Sequence, residues 1–331
     1  MKICDEINTV LFEMMQNNRE VILIGEDILD PYGGAFRITK GLSSSFPERV
    51  LTTPISEATI AGMSIGMALR GLYPIAEIMF GDFITLCMDQ LLNHASKLKP
   101  MYNGNVVVPM IMRTPMGGGR GYGPTHSQSL EKHFLGIPFI DIVAVSLFHN
   151  VKKIFLNAYN RRRPVIIIEN KLLYPMELFI SSNDEVFIEN MLTETGYCDV
   201  IIKNYINNTP DILIVTYGGV SRFLKTILRK MIEEEIRVVS VIIGQISPIS
   251  RKSISLINTY ANQCGKVLIL EEGSKEFGWS AEIQGIIENR DIIINRLGSV
   301  NTIIPSNKKL EEQVLINEEK IINNILEMIR I

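Results

Sequence analysis

The stretch Val21-Ile22-Leu23-Ile24-Gly25-Glu26-Asp27 places an apolar run directly before a glycine and two acidic residues. An apolar run without alternating polar residues predicts a strand that is buried on both faces of a sheet. Similar runs recur through the first half of the chain, and helical patterns separate them. The predicted strands are 21–25, 75–78, 106–113, 140–145 and 165–169, and the predicted helices are 60–69, 83–98 and 151–159. This alternation favours a parallel sheet with helices on both faces.

A second alternation begins near residue 210. Its predicted strands are 212–216, 237–243, 267–270 and 291–296, and its predicted helices are 220–234, 254–262, 280–288 and 318–328. Between the two halves the apolar pattern weakens and polar residues such as Ser181-Ser182-Asn183-Asp184 occur. We therefore expect an α/β fold of two doubly wound domains, residues 1–180 and 210–331, joined by a linker and peripheral strand at 181–209. A length of 331 residues suits two domains.

Composition narrows the classes of function. The net charge is −3, and the basic residues are scattered apart from short runs such as Arg161-Arg162-Arg163. No basic face indicates nucleic-acid binding. No segment reaches the roughly 18 uninterrupted apolar residues of a membrane span, and the acidic start Met1-Lys2-Ile3-Cys4-Asp5-Glu6 differs from a secretory signal. We expect a cytoplasmic protein that binds neither nucleic acid nor membrane.

The cysteines and histidines do not predict a metal site in this chain. Neither residue type is clustered, and no Cys-x-x-Cys pair occurs. Structural zinc and a disulfide framework both need closely spaced or paired ligands. We interpret the four cysteines as ordinary thiols that mostly fill the core: Cys4, Cys87, Cys198 and Cys264.

The first candidate site residue is Glu57, in the stretch Thr52-Thr53-Pro54-Ile55-Ser56-Glu57. This stretch follows an apolar strand and precedes a helix, and ligands of parallel sheets bind at the carboxyl ends of strands. Two interpretations of Glu57 are open. Its carboxylate either satisfies free amides at the start of the helix or takes part in chemistry.

The second candidate is a glycine-dense loop at residues 114–128, which carries His126. A phosphate-binding loop is one interpretation, but the Lys-Ser/Thr ending of a P-loop and the spacing of a dinucleotide fingerprint are both missing. A flexible surface loop is the other interpretation of the glycines. The proline and histidine beside them favour a shaped loop that presents His126.

Further motifs follow one another along nearly the whole chain: Gly25-Glu26-Asp27, Thr53-Pro54-Ile55-Ser56-Glu57, Ala76-Glu77-Ile78-Met79-Phe80-Gly81-Asp82-Phe83, Thr125-His126-Ser127-Gln128, Glu169-Asn170-Lys171-Leu172-Leu173-Tyr174, Ser247-Pro248, Glu271-Glu272 and Phe277-Gly278. Taken together and in this order, they resemble the beta subunit of pyruvate, branched-chain 2-oxoacid and acetoin dehydrogenases. The resemblance implies an N-terminal pyrimidine-binding domain of the transketolase type and a C-terminal transketolase-type domain.

The resemblance also implies a cofactor, thiamine diphosphate, and roles for particular residues. Glu57 matches the glutamate that hydrogen-bonds N1′ of the pyrimidine and so favours loss of the C2 proton of the thiazolium. Phe83 matches an aromatic residue beside the aminopyrimidine, and Ile55 is expected to line the same cofactor site. His126 matches the histidine that binds substrate or relays protons to the acyl adduct.

What the chain lacks implies a partner. The alpha subunits of the resembled family carry a Gly-Asp-Gly motif whose oxygen ligands hold a magnesium ion and, through it, the diphosphate. The nearest match here is Gly81-Asp82-Phe83, which already belongs to the beta-subunit motif. We therefore expect thiamine diphosphate to be shared with an alpha subunit that holds the Mg²⁺, within an alpha2-beta2 heterotetramer built on a beta-beta homodimer contact. The acyl group would pass to a lipoyl transacylase.

Several positions depart from the resembled family. Arg161-Arg162-Arg163 replaces an Asp-x-Asn that helps to bind a structural potassium ion, which argues against the ion and suggests that arginine charge takes its place. Phe139, Val145 and Thr52 stand where many relatives have Gly, Pro and Asp. The substrate therefore cannot be taken over from the family.

Two other functions remain open at this stage. A split transketolase-like or acyloin-forming carboligase would use the same cofactor but deliver its carbanion to an aldehyde or ketone. A subunit that only shapes the site of an alpha partner would need no catalytic groups of its own. The presence of both Glu57 and His126 argues against the second alternative.

Overall fold

The computed structural model describes residues 1–179 and 186–330 and has the predicted α/β fold. Its strands are β1 (Val21–Gly25), β2 (Val50–Thr52), β3 (Tyr73–Glu77), β4 (Met110–Met116), β5 (Asp141–Ala144), β6 (Pro164–Asn170), β7 (Phe187–Leu192), β8 (Cys198–Lys203), β9 (Ile212–Tyr217), β10 (Val238–Ile243), β11 (Gln245–Ser247), β12 (Lys266–Ser274) and β13 (Ile293–Ser299). They form two sheets in which parallel pairs predominate.

The α-helices connect and cover these strands. They are α1 (Ile3–Asn17), α2 (Leu42–Ser45), α3 (Glu57–Leu69), α4 (Leu98–Met101), α5 (Val151–Asn160), α6 (Leu224–Glu233), α7 (Arg251–Cys264), α8 (Trp279–Ile286), α9 (Lys308–Val314) and α10 (Glu318–Arg330). No helix within the described residues is long and apolar enough to cross a membrane.

The first sheet has the strand order β11-β5-β6-β4-β3-β1-β2. Its strands from the first half of the chain pair in parallel, and β1, β3, β4, β5 and β6 are buried along their whole length, as the apolar runs predict. The edge strand β11 comes from the second half of the chain and runs antiparallel to β5. The two halves thus share one sheet, a feature that the sequence pattern does not predict.

The second sheet has the strand order β13-β12-β9-β10-β8-β7. Strands β13, β12, β9 and β10 are parallel, whereas β8 and β7 add antiparallel at one edge. Both edge strands lie in the segment 181–209 that we expect to hold the linker and a peripheral strand. Residues 180 and 181, on either side of the predicted boundary, lie outside the described residues, and the domain boundaries stay a prediction.

The predicted helix 83–98 is wrong as a single helix. The chain there forms a 3₁₀ segment at Gly81–Cys87, a π-helical segment at Gln90–Ala95 and then the short α4. The hydroxyl of Ser96 donates to the carbonyl of Leu92 at 2.7 Å, and the Ser96 amide goes instead to Leu91 at 3.0 Å. Such hydroxyl bonding competes with the regular helical ladder, and an amphipathic pattern does not reveal it.

Candidate active site

Three glutamates, Glu26, Glu57 and Glu77, lie at the carboxyl ends of three neighbouring strands of the first sheet. Gly25 at the end of β1 is in register with Thr52 on one side and with Glu77 on the other. Glu26 is the first residue after β1, and Glu57 begins α3 a few residues after β2. All three carboxyl side chains are buried, with Glu57 only 5% exposed. The carboxyl ends of these strands thus form an acidic, water-poor site, which is where parallel sheets bind ligands.

Glu57 is not engaged as a helix cap. The N-terminus of α3 has no side-chain capping hydrogen bond, and the described residues donate no hydrogen bond to the Glu57 carboxylate. Its backbone carbonyl accepts a hydrogen bond from the Cys87 thiol at 3.3 Å, which ties α3 to the segment Gly81–Cys87. The capping interpretation of Glu57 therefore has no support in the contacts of this side chain.

Glu26 is a titratable group that sequence reasoning assigned no role. Burial, followed by the charge of Glu57, raises the pKa of Glu26 to about 7, although a backbone hydrogen bond from Ser56 acts in the opposite direction. One carboxyl oxygen of Glu26 is buried without a hydrogen-bond partner. Its place directly after the predicted strand was visible in the sequence, but its pKa depends on packing.

The rings of Phe83 and His126 are in contact. The ring of His126 packs edge-on against Phe83, with ring centres 5.2 Å apart, and against Phe80 at 4.8 Å. The imidazole Nδ1 lies 2.9 Å from the hydroxyl of Thr125. Because Phe83 lies in the same 3₁₀ segment as Cys87, this segment connects the Glu57 side of the site to the His126 side.

Ile55 is placed differently from the other predicted site residues. It lies between β2 and α3, and 81% of it is exposed. Ile55 thus lies just before the first residue of α3, on the surface of this chain, and it is not grouped with Phe83 and His126.

The loop 117–128 is closed and anchored. The amide of Gly117 donates to the carbonyl of Gln128 at 3.1 Å, which joins the two ends of the loop. The Gln128 amide and side chain donate to one carboxyl oxygen of Asp82 at 3.1 and 2.9 Å. Lys171 donates to the His126 carbonyl at 2.6 Å. The structure therefore agrees with a shaped loop that presents His126.

The glycine amides of this loop are already occupied. Gly119 and Gly121 have φ angles of 87° and 71°, a left-handed backbone that favours glycine. Their amides donate to the two carboxyl oxygens of Glu311, in α9, at 2.8 and 2.9 Å. These amides bind a carboxylate of the same chain, so the phosphate-cradle interpretation of the loop is not supported.

A buried ion-pair network lies beneath the site. Arg113 donates from Nε to Glu169 at 2.9 Å and from a terminal nitrogen to Glu77, and the Tyr174 hydroxyl donates to Glu169 at 2.7 Å. The pKa of Glu77 is raised, because the effect of burial outweighs the opposing charge of Arg113. The sequence pattern did not single out Arg113, which lies in a predicted apolar strand.

The comparisons with known proteins agree over the whole length of the chain. Residues 1–177 match the family model "Transketolase, pyrimidine binding domain", and residues 204–321 match "Transketolase, C-terminal domain". The pyruvate dehydrogenase E1 component subunit beta of Gracilaria tenuistipitata var. liui is 33% identical over 97% of each chain. The chain belongs to the family of 2-oxoacid dehydrogenase E1 beta subunits. The resemblance seen in its motifs is thereby confirmed.

Other members of the E1 beta family differ in the substrate that their names give. The 2-oxoisovalerate dehydrogenase subunit beta of Bacillus subtilis is 30% identical to this chain and covers 97% of it, with 96% of its own length matched. A solved structure titled "Split gene transketolase, inactive beta4 tetramer" superposes with a TM-score of 0.73 over 98% of this chain and 97% of its own, at 17% identity. That likeness supports the fold of this E1 beta chain and leaves its substrate open.

The groups present in this E1 beta chain fit one end of thiamine diphosphate. Glu57, 5% exposed and next to the buried carboxyl of Glu26, is a group that can hydrogen-bond a pyrimidine nitrogen, and Phe83 supplies an aromatic surface near the same segment. Within residues 1–179 and 186–330, no group of three His, Cys, Asp or Glu side chains is arranged to hold a metal ion.

The arginine run of this E1 beta chain surrounds a buried carboxylate. Nε of Arg161 lies 2.5 Å from one oxygen of Asp141, and Arg163 lies 3.4 Å from the other. Asp141 is fully buried, and Arg161 also donates to the Thr195 carbonyl at 2.8 Å. Arginine charge thus neutralises this carboxylate directly. That this chain binds no structural potassium ion here stays a prediction.

Proposed function

We propose that this chain is the beta subunit of a thiamine-diphosphate-dependent 2-oxoacid dehydrogenase and that it is active only with an alpha subunit. The observation that carries the proposal is the acidic pair at the carboxyl ends of parallel strands: Glu57 is 5% exposed, and beside it one carboxyl oxygen of Glu26 is buried without a hydrogen-bond partner. A buried carboxylate without a partner is costly for a protein unless a ligand uses it.

Glu57 acts on the cofactor in this proposal. When bound, thiamine diphosphate supplies the nucleophilic carbon and the electron sink for decarboxylation. Glu57 holds a proton between its carboxyl oxygen and a pyrimidine nitrogen, and exclusion of water strengthens that hydrogen bond. Glu26 favours a shared proton at this place, because two neighbouring buried carboxyl groups resist being ionised together.

His126 acts on the substrate in this proposal. Its imidazole is partly exposed and is held between two aromatic rings, and its Nδ1 is close to the Thr125 hydroxyl. An imidazole can gain or lose a proton near neutral pH without a large change in its surroundings. We assign His126 the transfer of protons to and from the substrate and Phe83 the apolar surface beside the pyrimidine.

The second half of the cofactor site belongs to a partner in this proposal. The relatives are named as subunits of an E1 component, and the described residues of this chain show no metal-ligand group. We propose that an alpha subunit holds Mg²⁺ and the diphosphate in an alpha2-beta2 heterotetramer with a beta-beta contact. A lipoyl transacylase as acyl acceptor and a location in the cytoplasm belong to the same proposal.

Reconstitution tests the proposed function. The chain is expressed with and without an alpha subunit, and carbon dioxide release from several 2-oxoacids is measured with an artificial electron acceptor. We expect turnover only from the pair and, by calorimetry, no tight magnesium-dependent binding of thiamine diphosphate to the isolated chain. Micromolar binding or decarboxylation by the isolated chain would contradict the proposal. Acyloin products in place of acyl transfer to a lipoyl acceptor would support the carboligase alternative.

A further inference from the structure

The second half of the chain holds the loop of the proposed active site through one side chain. Glu311 is only 1% exposed, and its two carboxyl oxygens accept hydrogen bonds from the amides of Gly119 and Gly121. Hydrogen bonds to an ionised carboxylate are among the stronger ones in proteins. A single residue of α9 therefore fixes two backbone groups in the amino-terminal half of the loop 117–128.

Close packing supports this contact. A Cβ atom added at Gly118 would lie 2.7 Å from a methyl group of Leu315, and one added at Gly121 would lie 3.2 Å from the carbonyl oxygen of Ser306. Chain segments on both sides of Glu311 thus lie directly against the loop. The two Glu311 hydrogen bonds therefore lie within a closely packed surface.

Two further charged groups hold the rest of the loop. Lys171, which is fully buried, binds the His126 carbonyl, and Asp82 binds the Gln128 amide. Burial lowers the pKa of Lys171 to about 8, and the charges of Asp82, Glu272 and Glu311 raise it. Glu311 and Lys171 therefore act on the same loop.

The imidazole of His126 needs this backbone support. Its own contacts are two edge-on aromatic packings and the hydroxyl of Thr125, an exposed residue. The His126 backbone is held by the loop: its amide donates to the Gly123 carbonyl at 3.4 Å, and its carbonyl accepts from Lys171 at 2.6 Å. Catalytic groups must be held to within a fraction of an ångström, and shifts of about 1 Å are known to reduce rates by roughly 10²-fold.

We infer that Glu311 is a positioning residue for His126: it fixes the glycine turn of the loop and so sets the place of the imidazole in the active site. The inference rests on the proposed role of His126. It assigns the C-terminal domain, through α9, a direct part in the geometry of a site that otherwise lies in the first half of the chain.

The first test measures the loop itself and needs no activity. Hydrogen exchange of residues 117–128 is followed by mass spectrometry in the full chain and in Glu311→Gln. We expect exchange to be faster by roughly tenfold or more in the variant, because a side-chain amide cannot accept from both glycine amides. Glu312→Gln is the matched control, since Glu312 is the exposed neighbour on the same helix, and it should leave the exchange unchanged.

The second test measures the effect on catalysis in the reconstituted enzyme. Glu311→Gln should lower turnover while C2 proton exchange of the bound cofactor stays near wild type, as expected for His126→Ala. In the double variant, Glu311→Gln should add little to the loss caused by His126→Ala, since both act through one imidazole. Glu311→Asp keeps the charge and should restore part of the turnover, and it carries the test if the glutamine variant does not fold.

Unchanged hydrogen exchange in the loop of Glu311→Gln would overturn the inference. Full additivity of Glu311→Gln with His126→Ala would overturn it as well, because Glu311 would then act elsewhere. Failure of the proposed function is a separate result: the wild-type pair would release no carbon dioxide from any 2-oxoacid, whatever the exchange of the loop shows.

Discussion

Glu26 and Glu57 follow adjacent parallel strands, and the charge of Glu57 adds to burial in raising the pKa of Glu26 to about 7. Burial and a neighbouring negative charge thus both oppose ionisation of the Glu26 carboxyl. This relationship distinguishes the site from an acidic surface patch, because exposed carboxylates keep ordinary pKa values. It also makes the stability of the chain depend on pH in a direction that can be measured.

The free energy of unfolding should fall as pH rises from 5 to 8. The pKa of Glu26 is higher in the folded chain than its ordinary value of 4.5, so the folded state binds the proton more tightly. That stabilisation is fully present below about pH 4.5 and is lost as pH rises through 7. In Glu26→Gln, the fall of the unfolding free energy between pH 5 and pH 8 should be smaller by roughly 2 to 3 kcal/mol. Urea unfolding at several pH values measures the unfolding free energy of both proteins. If this free energy fell equally with pH in the variant and in wild type, Glu26 would not have a raised pKa.

Glu57→Gln should abolish most turnover of the reconstituted enzyme and leave folding and cofactor affinity nearly intact. The amide keeps the shape of the side chain but cannot share a proton with a pyrimidine nitrogen as a carboxylate does. The rate of C2 proton exchange of bound thiamine diphosphate, followed by NMR, is the deciding measurement. Glu48→Gln, an exposed carboxylate before β2, is the control and should behave like wild type. Wild-type exchange in Glu57→Gln would refute this role of Glu57.

His126→Ala should spare loss of the C2 proton from the cofactor and impair the later steps on the substrate. We expect C2 proton exchange near the wild-type rate and turnover lower by roughly 10²-fold or more, the range for removal of a positioned acid-base group. The exposed His133 nearby provides the control variant His133→Ala, for which no loss is expected. A parallel fall of exchange and turnover would show that His126 acts on the cofactor or on folding.

Arg113→Met should destabilise the chain by about 3 to 5 kcal/mol, because it leaves the buried carboxylates of Glu77 and Glu169 without their cation. Arg70→Met changes an exposed arginine and should alter the unfolding free energy by less than about 0.5 kcal/mol. Urea denaturation of both variants at pH 7 gives the comparison. A loss below about 1 kcal/mol for Arg113→Met would mean that the network relaxes or protonates without strain.

Much of the fold could be read from local pattern. The apolar run at 21–25 predicted β1 at its observed bounds, and the runs at 140–145 and 212–216 predicted β5 and β9 to within about two residues. Full burial of a strand requires apolar side chains on both faces, so its signal lies in consecutive residues. The single helix predicted at 83–98 is divided into 3₁₀, π and α segments, and at its end the hydroxyl of Ser96 takes the Leu92 carbonyl, a contact that periodicity does not register.

The sequence by itself determined the buried apolar strands, the two α/β halves and, through the order of its motifs, the family and the candidates Glu57, Phe83 and His126. Only the tertiary structure decided that β11 completes the first sheet, that Glu26 has a raised pKa and that Glu311 binds amides 192 and 190 residues away. The physical reason is the separation along the chain over which each effect acts. Apolar periodicity is a property of neighbouring residues, whereas desolvation and long-range hydrogen bonds depend on which distant segments the fold brings into contact.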